Sequence, residues 1–348
     1  MMKVLMLGPA LKVHGGISEA VNNLIKAGLS DKVELDYIAT MEEGSKAHKL
    51  IVAIKAYMKF AKDVKAFDII HVNMASDSSY IRKSFFINKA YKEKKKIIIH
   101  KHGGDIINYY SGLDVRKKER MQSTFKKADL IIALSERSKE FLRTLTGEDA
   151  DIRVLPNSIN IPEDVDINNK SYGSKKILFL GRICKDKGIN ELLEAMDQLH
   201  NEDDEIKLSI GGIYEDLGFK TLIEARKSYI DYLGWIEGSK KDEVLRAHDI
   251  LVLPSYYEGL PVCILDAMAY GLGVVSTDVG GIGEVIEDKV SGILIKPKDV
   301  NALKQGLELL IKDKEYIRKL ALNGRKKAED GFSSSRAVSK LVEIYKII

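Results

Sequence analysis

Residues 255–271, with the sequence SYYEGLPVCILDAMAYG, are the most informative stretch of the chain. Glu258 and Asp266 lie eight positions apart, and the Gly-Leu-Pro between them reads as a loop that enters a helix. Proline is favoured in the first helical turn, where its missing N–H costs nothing. We therefore expect Glu258 in the loop and Asp266 in the second turn. Because the N–H groups at a helix start attract anions, the stretch suits a ligand with phosphate and sugar hydroxyls.

The composition indicates a globular protein of about two domains. The chain has 348 residues, of which 45% are hydrophobic and 30% charged, which is long for one hydrophobic core. Cys184 and Cys263 are far apart and lack metal-ligand spacing, so we expect a reduced, cytoplasmic protein. The apolar runs are all shorter than the roughly 20 residues that span a bilayer, which leaves peripheral membrane contact open.

Positive charge is concentrated in the first half of the chain. The net charge is +4, but residues 1–165 hold 28 Lys and Arg against 21 Asp and Glu. On one predicted helix, Arg82, Lys83, Phe85 and Phe86 would suit an anionic membrane surface, and ordinary solvated lysines are an equal alternative. We expect no nucleic-acid partner.

Short apolar runs alternate with amphipathic stretches in both halves, which predicts parallel sheets with helices on both faces. A polar segment at 157–175 reads as a linker. The predicted strands are 3–7, 33–38, 69–73, 97–100, 130–134 and 152–155, then 176–180, 206–210, 230–233, 250–254, 274–277 and 292–295. The fold class is therefore α/β, with two Rossmann-like doubly wound domains. Ligands of such sheets bind beyond the carboxyl ends of the strands, so loops that follow strands are the candidates.

Two of these loops contain paired glycines that lead into a helix. Gly15-Gly16, with Ser18 as a candidate N-cap, follows the first strand, and Gly280-Gly281 follows strand 274–277. Paired glycines let the backbone approach a phosphate closely. Ordinary strand–helix turns explain each pair about as well, and neither is a dinucleotide-binding fingerprint.

A third loop, LGRICKDKG at 180–188, places Arg182 and Lys187 before a predicted helix. An arginine fork and a lysine point charge at a helix start would hold a diphosphate. A pair of solvated charges is the weaker alternative, because the loop lies at the end of a strand.

Histidines mark a fourth loop, HKHGGD at 100–105, where His100 and His102 come after the apolar strand residues 97–99. Their spacing matches no zinc signature. A hydrogen-bonding or acid/base role for His102 is the favoured hypothesis, and a satisfied buried histidine competes with it. His71, on the preceding strand, has the same ambiguity.

Together these loops resemble the retaining GT-B glycosyltransferases of family 4, the group 1 glycosyl transferases. The resemblance covers nearly the whole chain and is strongest over 176–295. It rests on an ordered set of four motifs. The Gly-Gly loop is matched by Gly15 and Gly16, and the Gly-Arg-x4-Lys-Gly loop by Gly181, Arg182, Lys187 and Gly188. The Glu-x7-Glu element is matched by Glu258, and the Gly-Gly-x-x-Glu loop by Gly280, Gly281 and Glu284. Asp266 replaces the second glutamate, and Gly283 stands where proline is usual.

The resemblance implies roles for single residues. Arg182 and Lys187 would neutralise the donor diphosphate, Asp266 would accept hydrogen bonds from the ribose, and Glu258 would contact the donor sugar. His102 would lie beside the sugar from the other domain across a central cleft. The remaining donor-site residues would border the diphosphate and the sugar; they are Gly15, Gly16, Gly259, Leu260 and Glu284.

The implied domains are an N-terminal acceptor domain, 1–165, and a nucleotide-sugar domain, 166–334. The last helix, 335–348, would pack back on the first domain. The implied activity is that of a hexosyltransferase that moves a sugar from a nucleoside diphosphate, most simply UDP, to a glycan or lipid-linked acceptor in surface polysaccharide or glycolipid assembly. We expect no metal and no cofactor. A UDP-sugar epimerase, a phosphorylase-like enzyme of the same fold and a non-catalytic partner subunit stay open as alternatives.

Overall fold

The computed structural model describes residues 1–103 and 106–348, and the last two residues of the predicted loop HKHGGD, Gly104 and Asp105, lie outside them. The chain divides into two compact units, one made of Met1–Asn160 with Ser334–Ile348 and one made of Ile161–Ser333. The boundary expected at 165/166 falls five residues further along the chain than this division. Each unit is described by itself below.

The first unit is built on a six-stranded parallel sheet in the order β2-β1-β3-β4-β5-β6. Its strands are β1 (Lys3–Gly8), β2 (Glu34–Ala39), β3 (Ile69–Met74), β4 (Lys96–Lys101), β5 (Leu130–Ala133) and β6 (Ile152–Val154). Its helices are α1 (Gly16–Lys26), α2 (Leu29–Lys32), α3 (Lys46–Asp63), α4 (Asp77–Lys92), α5 (Ile106–Ser111), α6 (Val115–Phe125), α7 (Glu136–Thr146) and α15 (Ser334–Ile347).

The second unit repeats the architecture, with a parallel sheet in the order β12-β11-β10-β7-β8-β9. Its strands are β7 (Lys176–Leu180), β8 (Lys207–Gly211), β9 (Ile230–Gly234), β10 (Ile250–Leu253), β11 (Gly273–Thr277) and β12 (Ile293–Ile295). Its helices are α8 (Ile189–Glu202), α9 (Gly218–Glu224), α10 (Gly238–Ala247), α11 (Val262–Ala269), α12 (Ile282–Val285), α13 (Val300–Lys312) and α14 (Lys314–Gly331).

Burial explains why the strands form where they do. The central strands β3 and β10 are buried at every position, as expected for parallel strands covered by helices on both faces. The last helix, α15, packs in the first unit, where Val338, Leu341 and Tyr345 join the apolar core beneath α1. The predicted α/β class with two doubly wound domains is confirmed.

Two local predictions are wrong. Gly15, not Ser18, is the N-cap of α1, because the helix starts two residues earlier than expected; the buried Ser18 Oγ instead donates a hydrogen bond to the carbonyl of Ala10 at 3.1 Å. Pro261 precedes α11 as its N-cap, with an extended ψ of 125°. Asp266 keeps its expected place in the second turn.

Candidate active site

Four loops meet at the carboxyl edge of the second sheet. They follow β11, β10, β7 and β8, which are consecutive in the sheet, so their loops lie side by side. Backbone hydrogen bonds join each loop to the next, from Gly281 N–H to the carbonyl of Gly259 at 2.7 Å, from Tyr256 N–H to that of Asp186 at 2.8 Å and from Ile183 N–H to that of Ile213 at 2.8 Å. The sheet order therefore brings the predicted motifs of this unit together.

Two of the motif glycines are required by this close packing. Gly188 has a φ of +70°, and a Cβ there would lie 2.1 Å from the carbonyl oxygen of Pro254. Gly280 has a φ of +56°, and a Cβ there would lie 1.9 Å from the carbonyl oxygen of Glu258. A side chain at either position would push apart the loop that carries Glu258, so both glycines act by fixing its place.

Lys187 and Glu258 form an ion pair at the centre of these loops. The pair is largely buried, with side-chain exposures of 15% and 11%. The hydroxyl of Ser255 donates a second hydrogen bond to the same carboxylate oxygen of Glu258, at 2.8 Å. The carboxylate is thus held in one orientation, and the lysine charge is compensated locally.

Arg182 is paired with a residue that the sequence reasoning missed. Its guanidinium donates to Glu215 Oε1 at 2.5 Å, and both side chains are about half exposed. Glu215 lies in the loop after β8, and the signal that could have found it is the place of β8 beside β7 in the sheet. A diphosphate that bound Arg182 would compete with this carboxylate in a solvated setting where ion pairs are weak.

Asp266 also has a partner that was not expected. It is 6% exposed, and its Oδ2 accepts a hydrogen bond from Lys241 of α10 at 2.8 Å. Lys241 lies 25 residues before Asp266 in the sequence, with no motif to mark it. The ion pair fixes the carboxylate on α11 and adds a third cation near the edge of the sheet.

Two helix starts supply further positive potential. Within residues 161–333, all of which the structure describes, no side chain caps the N-terminus of α8 or of α11. α8 begins directly after Gly188, and α11 begins after the buried Leu260. Glu284 is exposed on the short helix α12. Cations and helix starts without a side-chain cap at one edge make a site suited to a large anion.

The first unit holds the other predicted residues. Gly15 is the N-cap of α1, and a side chain at Gly15 or Gly16 would meet nothing within 4 Å among the described atoms. Packing therefore does not explain these glycines, unlike Gly188 and Gly280. An open backbone at the start of an eleven-residue helix is what a close ligand contact needs.

His102 is buried directly after β4 and held by two hydrogen bonds. Its N–H donates to the carbonyl of Met74 at 2.7 Å, and its Nε2 lies 2.9 Å from Asn73 Oδ1. The amide nitrogen of Asn73 donates to the carbonyl of Leu7 at 3.3 Å, which orients its oxygen toward the histidine. Nε2 of His102 therefore carries the proton, and Nδ1 is the hydrogen-bond acceptor.

A buried chain of aromatic side chains continues from His102 to the last helix. The rings of His102 and His100 are 4.1 Å apart, His100 Nδ1 is 3.2 Å from His71 Nε2, and His71 Nδ1 is 2.6 Å from the hydroxyl of Tyr345. Burial lowers the pKa of His71 to about 3. Burial, and then neighbouring positive groups, lower the pKa values of His100 and His102 well below the usual range. All three are neutral at pH 7, so His102 can act there by hydrogen bonding and not by charge. Among the described residues, no three His, Cys, Asp or Glu side chains are placed to hold a metal ion.

The prediction that Lys83 and Phe86 face a membrane from the surface of α4 is wrong. Lys83 and Phe86 are each 1% exposed and point into the unit, whereas Phe85 is 52% exposed. The larger apolar surface lies on α3, where Leu50, Ile54 and Met58 are between 51% and 67% exposed. No helix in the described part of the chain has the length and apolarity to cross a membrane.

Comparisons with known proteins identify the family of the chain. The family model described as Glycosyl transferases group 1 matches residues 160–327, and that described as Glycosyltransferase Family 4 matches residues 15–162. An uncharacterized glycosyltransferase of Methanocaldococcus jannaschii is 28% identical over 247 residues, 65% of this chain and 61% of the relative. The N-acetyl-alpha-D-glucosaminyl L-malate synthase of Bacillus anthracis is 27% identical over 289 residues, 80% of this chain and 74% of the relative.

Two solved structures share the fold over almost the whole chain. The sucrose-phosphate synthase of Thermosynechococcus elongatus has a TM-score of 0.80 at 18% identity, and the match covers 99% of this chain and 98% of the other. Anabaena HepE in complex with UDP-glucose has a TM-score of 0.78 at 17% identity, with both chains covered fully. The two family models together span nearly all of this sequence, and the chain belongs to the group 1 glycosyl transferases, with the GT-B fold.

Proposed function

We propose that the protein is a retaining glycosyltransferase that moves a sugar from a nucleoside diphosphate, with UDP as the leading carrier, to a glycan or lipid-linked acceptor. The observation that carries the proposal is the meeting of Arg182, the Lys187–Glu258 pair and two uncapped helix starts at one sheet edge. The relatives support nucleotide-sugar chemistry, since HepE binds UDP-glucose and the Bacillus anthracis relative is named as a glucosaminyl enzyme. A relative in Bacillus subtilis is named as a putative teichuronic acid biosynthesis glycosyltransferase, which supports polysaccharide assembly.

The mechanism follows from where charge develops. Breaking the bond to the donor sugar leaves negative charge on the diphosphate and positive charge on the sugar. Arg182, Lys187 and the amides of α8 stabilise the leaving group, and their stabilisation grows in the transition state. Arg182 would exchange Glu215 for phosphate oxygens as the donor binds. The acceptor hydroxyl then attacks from the face that the diphosphate leaves and passes its proton to the departing phosphate oxygen, which retains the configuration of the sugar.

The carboxylates act as two separate contacts on the donor. Glu258, oriented by Ser255 and Lys187, would bind hydroxyls of the sugar and stabilise its positive charge. Asp266, oriented by Lys241, would accept hydrogen bonds from the ribose. His102, neutral at pH 7 and in the first unit, stays a proposed hydrogen-bonding residue of the reaction. We propose that neither a metal nor a cofactor takes part, because fixed cations supply the charge that the leaving group needs.

The donor assignment is tested by ligand protection. We expect UDP-, GDP- or ADP-sugars to raise the melting temperature, with the UDP-sugars strongest, because a ligand that binds only the folded state stabilises it. Slow hydrolysis of the protecting sugar nucleotide would show that turnover occurs. If none of the three nucleotide classes protects the protein, the donor site is misassigned.

Arg182→Ala should weaken UDP binding about tenfold to a hundredfold, the loss expected for one or two hydrogen bonds to a charged group. Isothermal titration calorimetry measures the change. Arg246→Ala is the matched control, because Arg246 is also a partly exposed arginine of the second unit paired with a carboxylate, that of Asp164. Equal UDP affinity in wild type and Arg182→Ala would refute the diphosphate contact.

We further propose that α3 docks the protein on the cytoplasmic face of an anionic membrane. Its exposed apolar residues Leu50, Ile54 and Met58 alternate with exposed lysines such as Lys55 and Lys59, the pattern of an interfacial helix. The double change Ile54→Glu and Met58→Glu should reduce liposome binding by about tenfold or more, given about 1.5–3 kcal/mol for each buried apolar side chain. Flotation with and without anionic lipid is the measurement. Leu309→Glu, at a 42% exposed leucine of α13, is the control. If the wild type floats to the same extent with and without anionic lipid, the docking proposal is rejected.

A further inference from the structure

Glu215 places a carboxylate on one of the two cations proposed to bind the donor diphosphate. Its Oε1 accepts a hydrogen bond from Arg182 Nη1 at 2.5 Å, and the side chains of Arg182 and Glu215 are 51% and 46% exposed. Burial acts to lower the pKa of Arg182, but Glu215 and its neighbours outweigh burial and raise that pKa above its usual range. A diphosphate that binds Arg182 must therefore replace an anion that is already in contact with it.

The backbone of two adjacent loops anchors Glu215 beside this arginine. The pairing of β7 with β8 continues past the ends of the strands, where the N–H of Glu215 donates to the carbonyl of Ile183 at 3.1 Å. The loops approach each other closely, because a Cβ at Gly212 would lie 1.7 Å from the carbonyl oxygen of Gly181. The Glu215 carboxylate consequently stays within a side-chain length of a ligand that takes over Arg182.

The two cation–carboxylate pairs of this sheet edge differ in their exposure to solvent. Lys187 and Glu258 are only 15% and 11% exposed, and Ser255 holds the same carboxylate, so breaking this pair is costly. The pair of Arg182 and Glu215 is half exposed, and its hydrogen bond joins one guanidinium nitrogen to one carboxylate oxygen. Exposed pairs are weak, whereas a phosphate can engage both arms of an arginine fork. Glu215 is therefore the partner that a donor can displace.

The donor and the product of the proposed reaction differ in charge at this place. When the sugar leaves, the terminal phosphate of the nucleoside diphosphate loses its ester link and receives the proton of the acceptor hydroxyl. Such a phosphate has a second pKa of about 6, so it releases this proton to water at pH 7. The free diphosphate then carries more negative charge than the sugar-linked donor. A carboxylate beside the diphosphate repels the product more strongly than the donor.

We propose that Glu215 is a specificity-determining residue that disfavours the free nucleoside diphosphate relative to the sugar-linked donor and thereby promotes release of the product. The carboxylate competes with both ligands for Arg182, and its repulsion is larger for the ligand with the extra charge. The inference rests on the proposed contact between Arg182 and the donor diphosphate. Glu215 itself lies outside the four sequence motifs of the family.

The test compares two ligands that differ only at the terminal phosphate, UDP and its methyl ester, in which the free end is capped. Isothermal titration calorimetry measures both affinities in the wild type and in Glu215→Gln. Glutamine keeps the size of the side chain and an acceptor oxygen but removes the charge. We expect the substitution to tighten the binding of UDP about fivefold and that of the methyl ester about twofold, changes in the range of exposed charge pairs.

Asp164→Asn is the matched control. It removes a carboxylate from another partly exposed arginine of the second unit, Arg246, and should change neither affinity. Both variants should melt within a few degrees of the wild type, because both ion pairs are exposed to solvent. A change in ligand binding that is confined to Glu215→Gln is then a local effect and not the result of a lost surface charge.

Two results would overturn the inference while leaving the donor site intact. Unchanged or weaker UDP binding in Glu215→Gln would mean that the carboxylate orients Arg182 for the ligand instead of competing with it. An equal gain for UDP and for the methyl ester would mean that Glu215 does not respond to the charge of the terminal phosphate.

Failure of the proposed function would look different. Either neither ligand would bind to any variant, the wild type included, or Arg182→Ala would bind UDP as tightly as the wild type does. In both cases the inference about Glu215 falls together with the diphosphate contact on which it rests.

Discussion

Gly280→Ala is expected to destabilise the second unit by about 2–5 kcal/mol and to abolish measurable UDP binding. An alanine at a φ of +56° costs about 1–2 kcal/mol in any setting. At this position its Cβ would also lie 1.9 Å from the carbonyl oxygen of Glu258 and 2.9 Å from that of Gly259. Overpacking of this kind adds about 1–3 kcal/mol. Relief of the clash would break the hydrogen bond from Gly281 to Gly259 and displace the loop that carries Glu258.

Gly238→Ala is a closely matched control for this change. Gly238 has a φ of +58°, lies in the same unit and has nothing within 4 Å of the position of an added Cβ. Its substitution should cost only the backbone strain, about 1–2 kcal/mol, and leave UDP affinity intact. Urea unfolding of the two variants gives the steric contribution by difference. If both alanines cost the same, the close packing of the Gly280 loop on Glu258 is not what requires the glycine.

The strands could be predicted from the sequence because parallel strands covered on both faces are uninterrupted apolar runs. Each predicted strand corresponds to a strand among the described residues, shifted by no more than a residue or two at its ends. Helix ends were less accurate at α1, because glycine at the N-cap leaves no side-chain signal. A capping residue with a side-chain oxygen, such as Asp299 before α13, can be recognised from its type. Nothing in the residue type marks Gly15 as an N-cap.

The motif residues of the site could be located in advance, but their partners could not. Glu215 binds Arg182, and Lys241 binds Asp266, because the order of the strands brings these residues together. No local sequence pattern encodes that order. The error on α4 has a different cause. Residues 80, 83, 87 and 90 follow the helical spacing of a buried stripe and are all buried. The prediction treats the lysine at the second of these positions, Lys83, as surface charge, although the spacing places it inside.

Substitutions in the Lys187–Glu258 pair should affect stability and catalysis in different ways. Lys187→Met or Glu258→Gln alone should cost about 2–3 kcal/mol of unfolding free energy, somewhat below the usual range for a broken buried pair because both side chains keep slight exposure. Each single change leaves one charge without its partner. The double variant should therefore be more stable than the sum of the singles predicts, with a coupling energy of about 1–3 kcal/mol from urea unfolding.

Activity should not recover with stability. Lys187 is proposed to stabilise the leaving diphosphate and Glu258 the sugar, so each single variant should lose about a hundredfold or more in kcat, as when one transition-state donor is removed. The double variant should remain as inactive as the worse single. The exposed pair Arg246–Asp164 gives the control, since its disruption should cost less than about 1 kcal/mol and leave turnover unchanged. A double variant that regained both stability and turnover would mean that the pair only holds the loops together, and that neither residue touches the donor.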